Sequence, residues 1–171
     1  MEKKTVSQSR IEMHNIVLPA YTNGWGNLMG GQLVYWMDIA AGLSARKHSH
    51  ENCMTVSIDS LIFKSPVILN DSIKIISQIT RCFNSTMEIY LRVYGEKTLN
   101  GRVYEANEAF FTFIALNDYS KPIPIEQINP ETPEEIKLYE SAAKRRELRL
   151  IKAKKLNPVD SVYYKELTIE L

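Results

Sequence analysis

The chain has 171 residues, 44% hydrophobic and 24% charged, with 21 basic residues against 20 acidic and two cysteines. That length suits one domain with a core of its own, near-neutral charge argues against a generally nucleic-acid-binding surface, and Cys53 and Cys82 fit neither a disulfide framework nor a metal-ligand spacing. The opening MEKKTVSQSR lacks the apolar stretch of a signal peptide, and no apolar run approaches the ~18 residues of a membrane span, so a cytoplasmic setting with no membrane partner is expected.

In chain order, residues 9–18 alternate loosely (Ile11, Met13, Ile16, Val17) up to Pro19 and predict a short strand. Residues 20–31, AYTNGWGNLMGG, are dense in Gly and Asn and predict a loop. From Met29 to about Lys47, Leu33, Val34, Trp36, Met37, Ala40, Ala41 and Leu43 recur at helical spacing. With so little charge before Arg46, that helix should be buried round most of its circumference, at the centre of the core.

After a polar break at His48–Asn52, four extended segments follow. Cys53 to Phe63 is rich in β-branched residues, and Ser72 to Cys82 carries Ile73, Ile75, Ile76 and Ile79. Thr86 to Tyr94 alternates, with Met87, Ile89, Leu91 and Val93 on one face and Glu88, Tyr90, Arg92 and Tyr94 on the other, which predicts a half-buried strand. Asn100-Gly101 signals a type I′ hairpin turn, and Arg102 to Leu116 resumes as strand. Long antiparallel strands round one buried helix make the fold class α+β.

Pro122, Pro124, Pro130 and Pro133 mark a linker, so residues 1–120 are expected to form the domain and 121–171 an appendage. Thr132-Pro133-Glu134-Glu135 predicts a helix start with Thr132 as N-cap, running to about Leu156 before Pro158. Residues 161–171 read as a short tail strand or a disordered end. The total charge of +1 conceals a balance of +6 between Lys137 and Lys155 and −5 elsewhere.

Asp38 is the most informative residue. It lies mid-helix between Trp36-Met37 and Ile39-Ala40-Ala41, with no basic residue three or four positions away. An ionised carboxylate in apolar surroundings is costly unless paired, and desolvation raises its pKa towards that of a general base. The alternative is a place on a solvated stripe, or a bond to a neighbouring loop. Gly30-Gly31 at the helix start would let a ligand approach first-turn N–H groups that suit an anion or an oxyanion, although paired glycines also serve tight turns. No GxGxxG or GKS/GKT ending is present, so this is not a phosphate loop.

The run Tyr21-Thr22-Asn23, Gly26, Gly30-Gly31 and Trp36-Met37-Asp38-Ile39-Ala40 resembles the signature of the hotdog-superfamily acyl-CoA thioesterases, in the cytosolic acyl-CoA hydrolase branch. Thr55-Val56-Ser57-Ile58-Asp59, Phe63-Lys64-Ser65-Pro66, Asn84 to Ile89, Phe110 to Ala115 and the basic Ala143-Lys144-Arg145-Arg146 follow in the family's order, so the likeness covers nearly the whole chain. It implies a hotdog fold, a long antiparallel sheet wrapped round the helix that carries Asp38, with a basic C-terminal helix beyond it. It implies an acyl-CoA hydrolase acting as a homodimer, commonly a trimer of dimers (a hexamer).

The same likeness implies Asp38 as general base or nucleophile, Asn23 supplied by the partner subunit, and an oxyanion site at Gly30 and Gly31. CoA contacts map onto Val56, Ser57 and Ile58, onto Ser85, Thr86 and Met87, and onto Arg145 and Arg146. The chemistry needs no metal or redox cofactor, CoA being part of the substrate. Two rival readings are a non-catalytic acyl-CoA-binding regulatory module and a hotdog dehydratase acting on 3-hydroxyacyl thioesters. The dehydratase needs a His beside the carboxylate, whereas His14, His48 and His50 lie away from it in sequence, the last two reading as surface residues at a helix end. Cys53 and Cys82 read as packed small residues, and Phe110, Phe111 and Phe113 as core with one face available to an acyl tunnel.

Overall fold

The computed structural model describes residues 4–157 and 160–163. The described residues up to Asn129 form one compact unit and those from Pro130 a second. The first opens with a two-residue strand β1 (Lys4–Thr5), a single helical turn α1 (Val6–Ser9) and strand β2 (Ile11–Ile16). The long helix α2 (Gly30–Ser49) follows, then β3 (Asn52–Phe63), β4 (Ser72–Cys82), β5 (Thr86–Glu96), β6 (Val103–Leu116) and β7 (Ile128–Asn129).

Five strands make one antiparallel sheet in the order β2-β4-β5-β6-β3, while β1 and β7 pair separately in parallel. The connections are short because β4, β5 and β6 are successive hairpin neighbours. Helix α2 lies across one face of this sheet. Met37, Ala40, Ala41 and Ala45 are fully buried, and so are Ile75, Ile79, Met87, Ile89, Leu91, Val93, Ala109 and Phe111 on the strands. Small side chains on the helix let it sit close to the strands, and the Ser77 hydroxyl donates to the Ala40 carbonyl at 2.8 Å. The α+β architecture expected from the sequence is the one observed.

Four local expectations need correction. First, α2 is not buried round most of its circumference: Tyr35, Ile39 and Leu43 are exposed. Ile39 and Leu43 share a depression with Met54 of β3, an edge strand twelve residues long whose Val56, Ile58, Ile62 and Phe63 are also exposed. The composition of the helix records an apolar face without recording that, among the described residues of this unit, these side chains stay exposed. Second, β5 is buried on both faces over Met87–Leu91. It is the central strand, and its polar face is closed by the Thr80 hydroxyl donating to Glu88 Oε1 at 2.7 Å and by the Tyr90 ring stacked on Phe110.

Third, the β5–β6 hairpin turns at Asn100-Gly101 without a type I′ turn. Only Gly101 has positive φ (67°), and its N–H reaches back to the Lys97 carbonyl at 2.8 Å in a wider loop. Fourth, His48 is buried, 1% exposed, because it continues the inward stripe of Ala41, Ser44 and Ala45. Its Nε2 lies 2.9 Å from the Glu126 carbonyl and 3.3 Å from Cys82 Sγ. Burial holds its pKa below the usual histidine value and pushes the Cys82 thiol up to about 12. His50 is the exposed C-cap, in the left-handed region at φ 58°.

The second unit contains helix α3 (Pro133–Lys152). Thr132 caps it as expected: the Glu135 N–H donates to the Thr132 hydroxyl and the Glu135 carboxylate accepts from the Thr132 N–H. The helix ends four residues earlier than Leu156. Lys154 turns left-handed (φ 55°), its N–H bonding the Ile151 carbonyl while the Lys155 N–H bonds that of Leu150, which is a Schellman stop formed without glycine. The expected tail at 161–171 lies outside the described residues from 164 onward, as does Pro158.

Candidate active site

Asp38 stands on the uncovered face of α2, half-buried rather than enclosed in apolar surroundings. Its Oδ1 accepts a hydrogen bond from the Thr55 hydroxyl of β3 at 2.7 Å. The carboxylate is therefore oriented by one hydroxyl, and Asp38 lines the depression beside it. That depression, about 530 Å³, follows α2 from Asp38 past Gly42 and Leu43, with Met54 and Phe113 opposite, and ends at Arg46 and Cys53. Arg46 is held there by Asn52 Oδ1 at 3.2 Å. Burial raises the Cys53 thiol, and the Ser49 hydroxyl lies 3.2 Å from it, so this sulfur is a wall rather than a nucleophile.

Gly42 sits mid-helix, where glycine costs about 1 kcal/mol relative to alanine. The fold does not need it: an added Cβ would meet only the Phe113 ring, at 3.6 Å, an ordinary contact. What the missing side chain supplies is room in the groove beside Asp38.

Asn23 lies in a second depression of about 330 Å³ with Asn27, Gly30, Leu33, Phe63 and Lys64. Its Oδ1 accepts from the backbone N–H groups of Trp25 (3.0 Å) and Asn27 (3.1 Å), closing a turn in which Gly26 takes φ 75°. The Nδ2 group has no partner among the described residues. Lys64 bridges Glu105 and Glu108, each at 2.9 Å; the two carboxylates raise the ammonium pKa, and Lys64 lowers that of Glu108. The N-terminus of α2 has no side-chain cap, and the Gly30 and Gly31 N–H groups find no acceptor among the described residues. A Cβ on Gly30 would press on the Phe63 ring at 3.3 Å, whereas Gly31 borders open space.

Within one chain, Asp38 and Asn23 thus occupy two different depressions. The other expected positions are partly brought together. Val56 is the extra residue of a β-bulge on β3, and Ser57 bonds Asp59 at 3.0 Å. Thr86 pairs with Ile114 of β6, which pairs with Met54 of β3, so residues 54–58 and 85–87 share one end of the sheet, two strands or roughly 10 Å apart. The Met87 side chain is fully buried in the core and is unavailable to a nucleotide; the sheet face it occupies is the inward one. Arg145 and Arg146 lie on α3 in the second unit, where Arg145 reaches Ser141 Oγ at 2.7 Å and the Leu138 carbonyl at 2.9 Å. No histidine lines either depression.

Thr55 is the site residue that sequence reasoning missed. It stands in a strand whose pattern gives no hint that a hydroxyl faces a carboxylate seventeen residues earlier. Among the described residues no cluster of three or more His, Cys, Asp or Glu could hold a metal, and no helix is long and apolar enough to cross a membrane.

Residues 26–101 match the family described as the Thioesterase superfamily. An uncharacterized acyl-CoA thioester hydrolase of Bacillus subtilis, YkhA, is 34% identical over 144 residues, 84% of this chain and 84% of that protein. An apo hexameric acyl-CoA thioesterase superposes with a TM-score of 0.86 at 35% identity, covering 90% of this chain and 98% of that one. The acyl-CoA hydrolase of Staphylococcus aureus, solved with butyryl-CoA, CoA and CoA disulfide, superposes with a TM-score of 0.82 at 28% identity over 89% of this chain and 94% of that one. Its asparagine-, aspartate- and threonine-to-alanine variants have also been solved.

A five-stranded antiparallel sheet packed on one long helix, matched at this level, makes the protein a hotdog-fold thioesterase. Within that superfamily the chain belongs to the acyl-CoA thioester hydrolases.

Proposed function

We propose that the protein hydrolyses fatty acyl-CoA to free fatty acid and CoA in a site built by two subunits, Asp38 and Thr55 from one and Asn23 from the other. The observation that carries this reading is the uncovered face: a carboxylate oriented by a hydroxyl, beside an apolar groove, with Asn23 in a separate depression of the same chain. The three positions changed to alanine in the Staphylococcus enzyme are Asn, Asp and Thr in chain order, 15 and 17 residues apart. Asn23, Asp38 and Thr55 are the same residue types at the same separations.

The roles follow from chemistry. Asp38 takes a proton from water as the water oxygen attacks the thioester carbon, or attacks that carbon itself to give an anhydride that water then opens. The C–S bond breaks and the sulfur leaves as a thiolate; with a pKa of roughly 8.5, by analogy with cysteine, it needs little acid assistance. The free Gly30 and Gly31 N–H groups at the start of α2 stabilise the oxyanion. The unpartnered Asn23 amide donates to the carbonyl or orients the water. No step calls on a metal or redox cofactor.

The groove beside Asp38 takes the acyl chain. It follows two turns of α2, ~12 Å. An extended chain advances roughly 1.25 Å per carbon, from a C–C bond of ~1.5 Å at a near-tetrahedral angle, so acyl groups of up to roughly ten carbons fit before Arg46. The exposed apolar edge β3 suits pairing with a second copy of itself, giving a dimer that assembles into a trimer of dimers. The +6 segment containing Arg145 and Arg146 attracts the phosphates of CoA, and Val56 to Ile58 with Ser85 and Thr86 contact the rest of the cofactor moiety. The working compartment is the cytoplasm.

Free-thiol release from an acyl-CoA series, with Asp38→Ala and Asn23→Ala beside wild type, tests the reading. Each variant should lose about 10²–10⁴ in turnover while remaining assembled. Tight acyl-CoA binding by wild type with no thiol release would instead make the protein a binding module.

A further inference from the structure

We infer that Asp71, with Lys97 and Tyr104, is a positioning cluster that sets the loop carrying Asn23. The inference rests on the reading of Asn23 given above. Asp71 is 4% exposed, a buried carboxylate far from Asp38 in the sequence and outside both depressions. One oxygen, Oδ2, accepts from Lys97 Nζ at 2.7 Å, from the Tyr104 hydroxyl at 2.7 Å and from the Ile68 backbone N–H at 3.3 Å. Burying a carboxylate is costly and three donors offset that cost.

The surroundings are built to make this convergence possible. The tip of the Tyr104 ring lies against Gly95, where an added Cβ would come within 2.3 Å of Cζ and 2.4 Å of the hydroxyl oxygen, so a side chain there would push the hydroxyl out of its place on Asp71. Lys97 approaches over the same ring at 5.1 Å, and the Thr98 hydroxyl donates to the Asn70 carbonyl. The end of the β5–β6 hairpin therefore grips residues 68–71 from one side.

Those residues in turn hold the Asn23 loop. Leu69 N–H donates to the Gly26 carbonyl at 2.9 Å, Leu28 N–H to the Val67 carbonyl at 2.7 Å, and Asn27 bridges Ile68. Ile68, the residue whose N–H Asp71 takes, is the bridge partner of Asn27, and Asn27 N–H binds Asn23 Oδ1. Three links thus run from the buried carboxylate to the Asn23 side chain: Asp71 to Ile68, Ile68 to Asn27, Asn27 to Asn23. Asn23 sits on a loop between a short 3-10 turn (Pro19–Tyr21) and α2, closed by its own main-chain bonds, and the cluster braces that loop from outside through residues 68–71.

The test is a double-mutant cycle. Asp71→Asn removes the ion pair and weakens the grip while keeping the shape. It should lower kcat by roughly ten- to a hundredfold with KM little changed, since misplacement of a catalytic group acts on the chemical step. In an Asn23→Ala background the same change should cost nothing further, because the group it positions is gone. The anisotropy of Trp25, which is exposed and whose N–H binds Asn23 Oδ1, should fall in Asp71→Asn. If Asp71→Asn does not fold, Tyr104→Phe removes one of the three donors and should give the same pattern at smaller amplitude. Additive losses in the cycle, or a KM that rises in step with the fall in kcat, would show a merely structural role and overturn the proposal alone. Full turnover by Asn23→Ala would overturn the two-subunit reading as well.

Discussion

The two depressions are built by opposite means. Around Asp38 everything is regular: α2 supplies the carboxylate and Gly42, β3 supplies Thr55, and a single side-chain hydrogen bond fixes the orientation. Asn23 itself stands on a loop, although Gly30 and Leu33 of α2 and Phe63 of β3 line its depression. Its own carbonyl oxygen is spent on two backbone N–H groups, and the loop is held by main-chain bonds to another loop. The Asp38 half should therefore answer to local substitutions at the groove, and the Asn23 half to changes made at a distance.

Beyond Asp38 and Asn23 themselves, the Asp38 half should respond most strongly at Thr55. Thr55→Ala removes a hydrogen bond to a charged group, worth about 1.5–3 kcal/mol, so turnover should fall roughly ten- to a hundredfold while Thr55→Ser recovers most of it. Equal turnover in wild type and Thr55→Ala would mean that the hydroxyl does not orient the base. Gly42→Ala should produce two effects of opposite sign. The melting temperature should rise, alanine being ~1 kcal/mol better in a helix, while thiol release from the longest accepted acyl-CoA falls relative to shorter ones. An unchanged chain-length profile, or loss of assembly, would show that Gly42 serves packing between subunits instead.

The smallest effect concerns stability away from both depressions. His48 is buried neutral, its pKa held below the usual value first by burial and then by Lys4 and His50, against the opposing Glu126 carbonyl. Below about pH 6.5 the unfolded chain binds a proton that the folded one resists, so stability falls on acidification through that range. His48→Gln, which keeps a donor for the Glu126 carbonyl, should shrink the drop in melting temperature between about pH 7 and pH 5 without changing turnover at neutral pH. An unaltered drop would assign the acid sensitivity elsewhere.

The contrast between the two regions also explains what the sequence could disclose. Helical spacing through Leu33, Trp36, Met37, Ala40 and Ala41 and alternation in β5 express the inward face directly, so the α+β class, the long helix and the four long strands after it were legible. Asp38 was legible as an oddity because one charge breaks an apolar run. Its setting was not, since periodicity marks apolar faces without saying whether the same chain covers them. His48 was misjudged for the mirror reason: polarity at a helix end suggests solvent, but the inward stripe runs on to the last turn. Thr55 and Asp71 act across long separations in sequence, where only the register of β3 and the reach of the hairpin bring partners together.

The central claim is that neither depression works without the other from a second copy. Mixing purified Asp38→Ala and Asn23→Ala proteins, dissociating and reassembling them, tests it most directly. A mixed dimer pairs an intact Asn23 with an intact Asp38 at one of its two sites, so random reassembly should restore about a quarter of wild-type thiol release from two inactive proteins. No recovery in demonstrably mixed dimers would contradict the account and place Asp38 and Asn23 in separate roles.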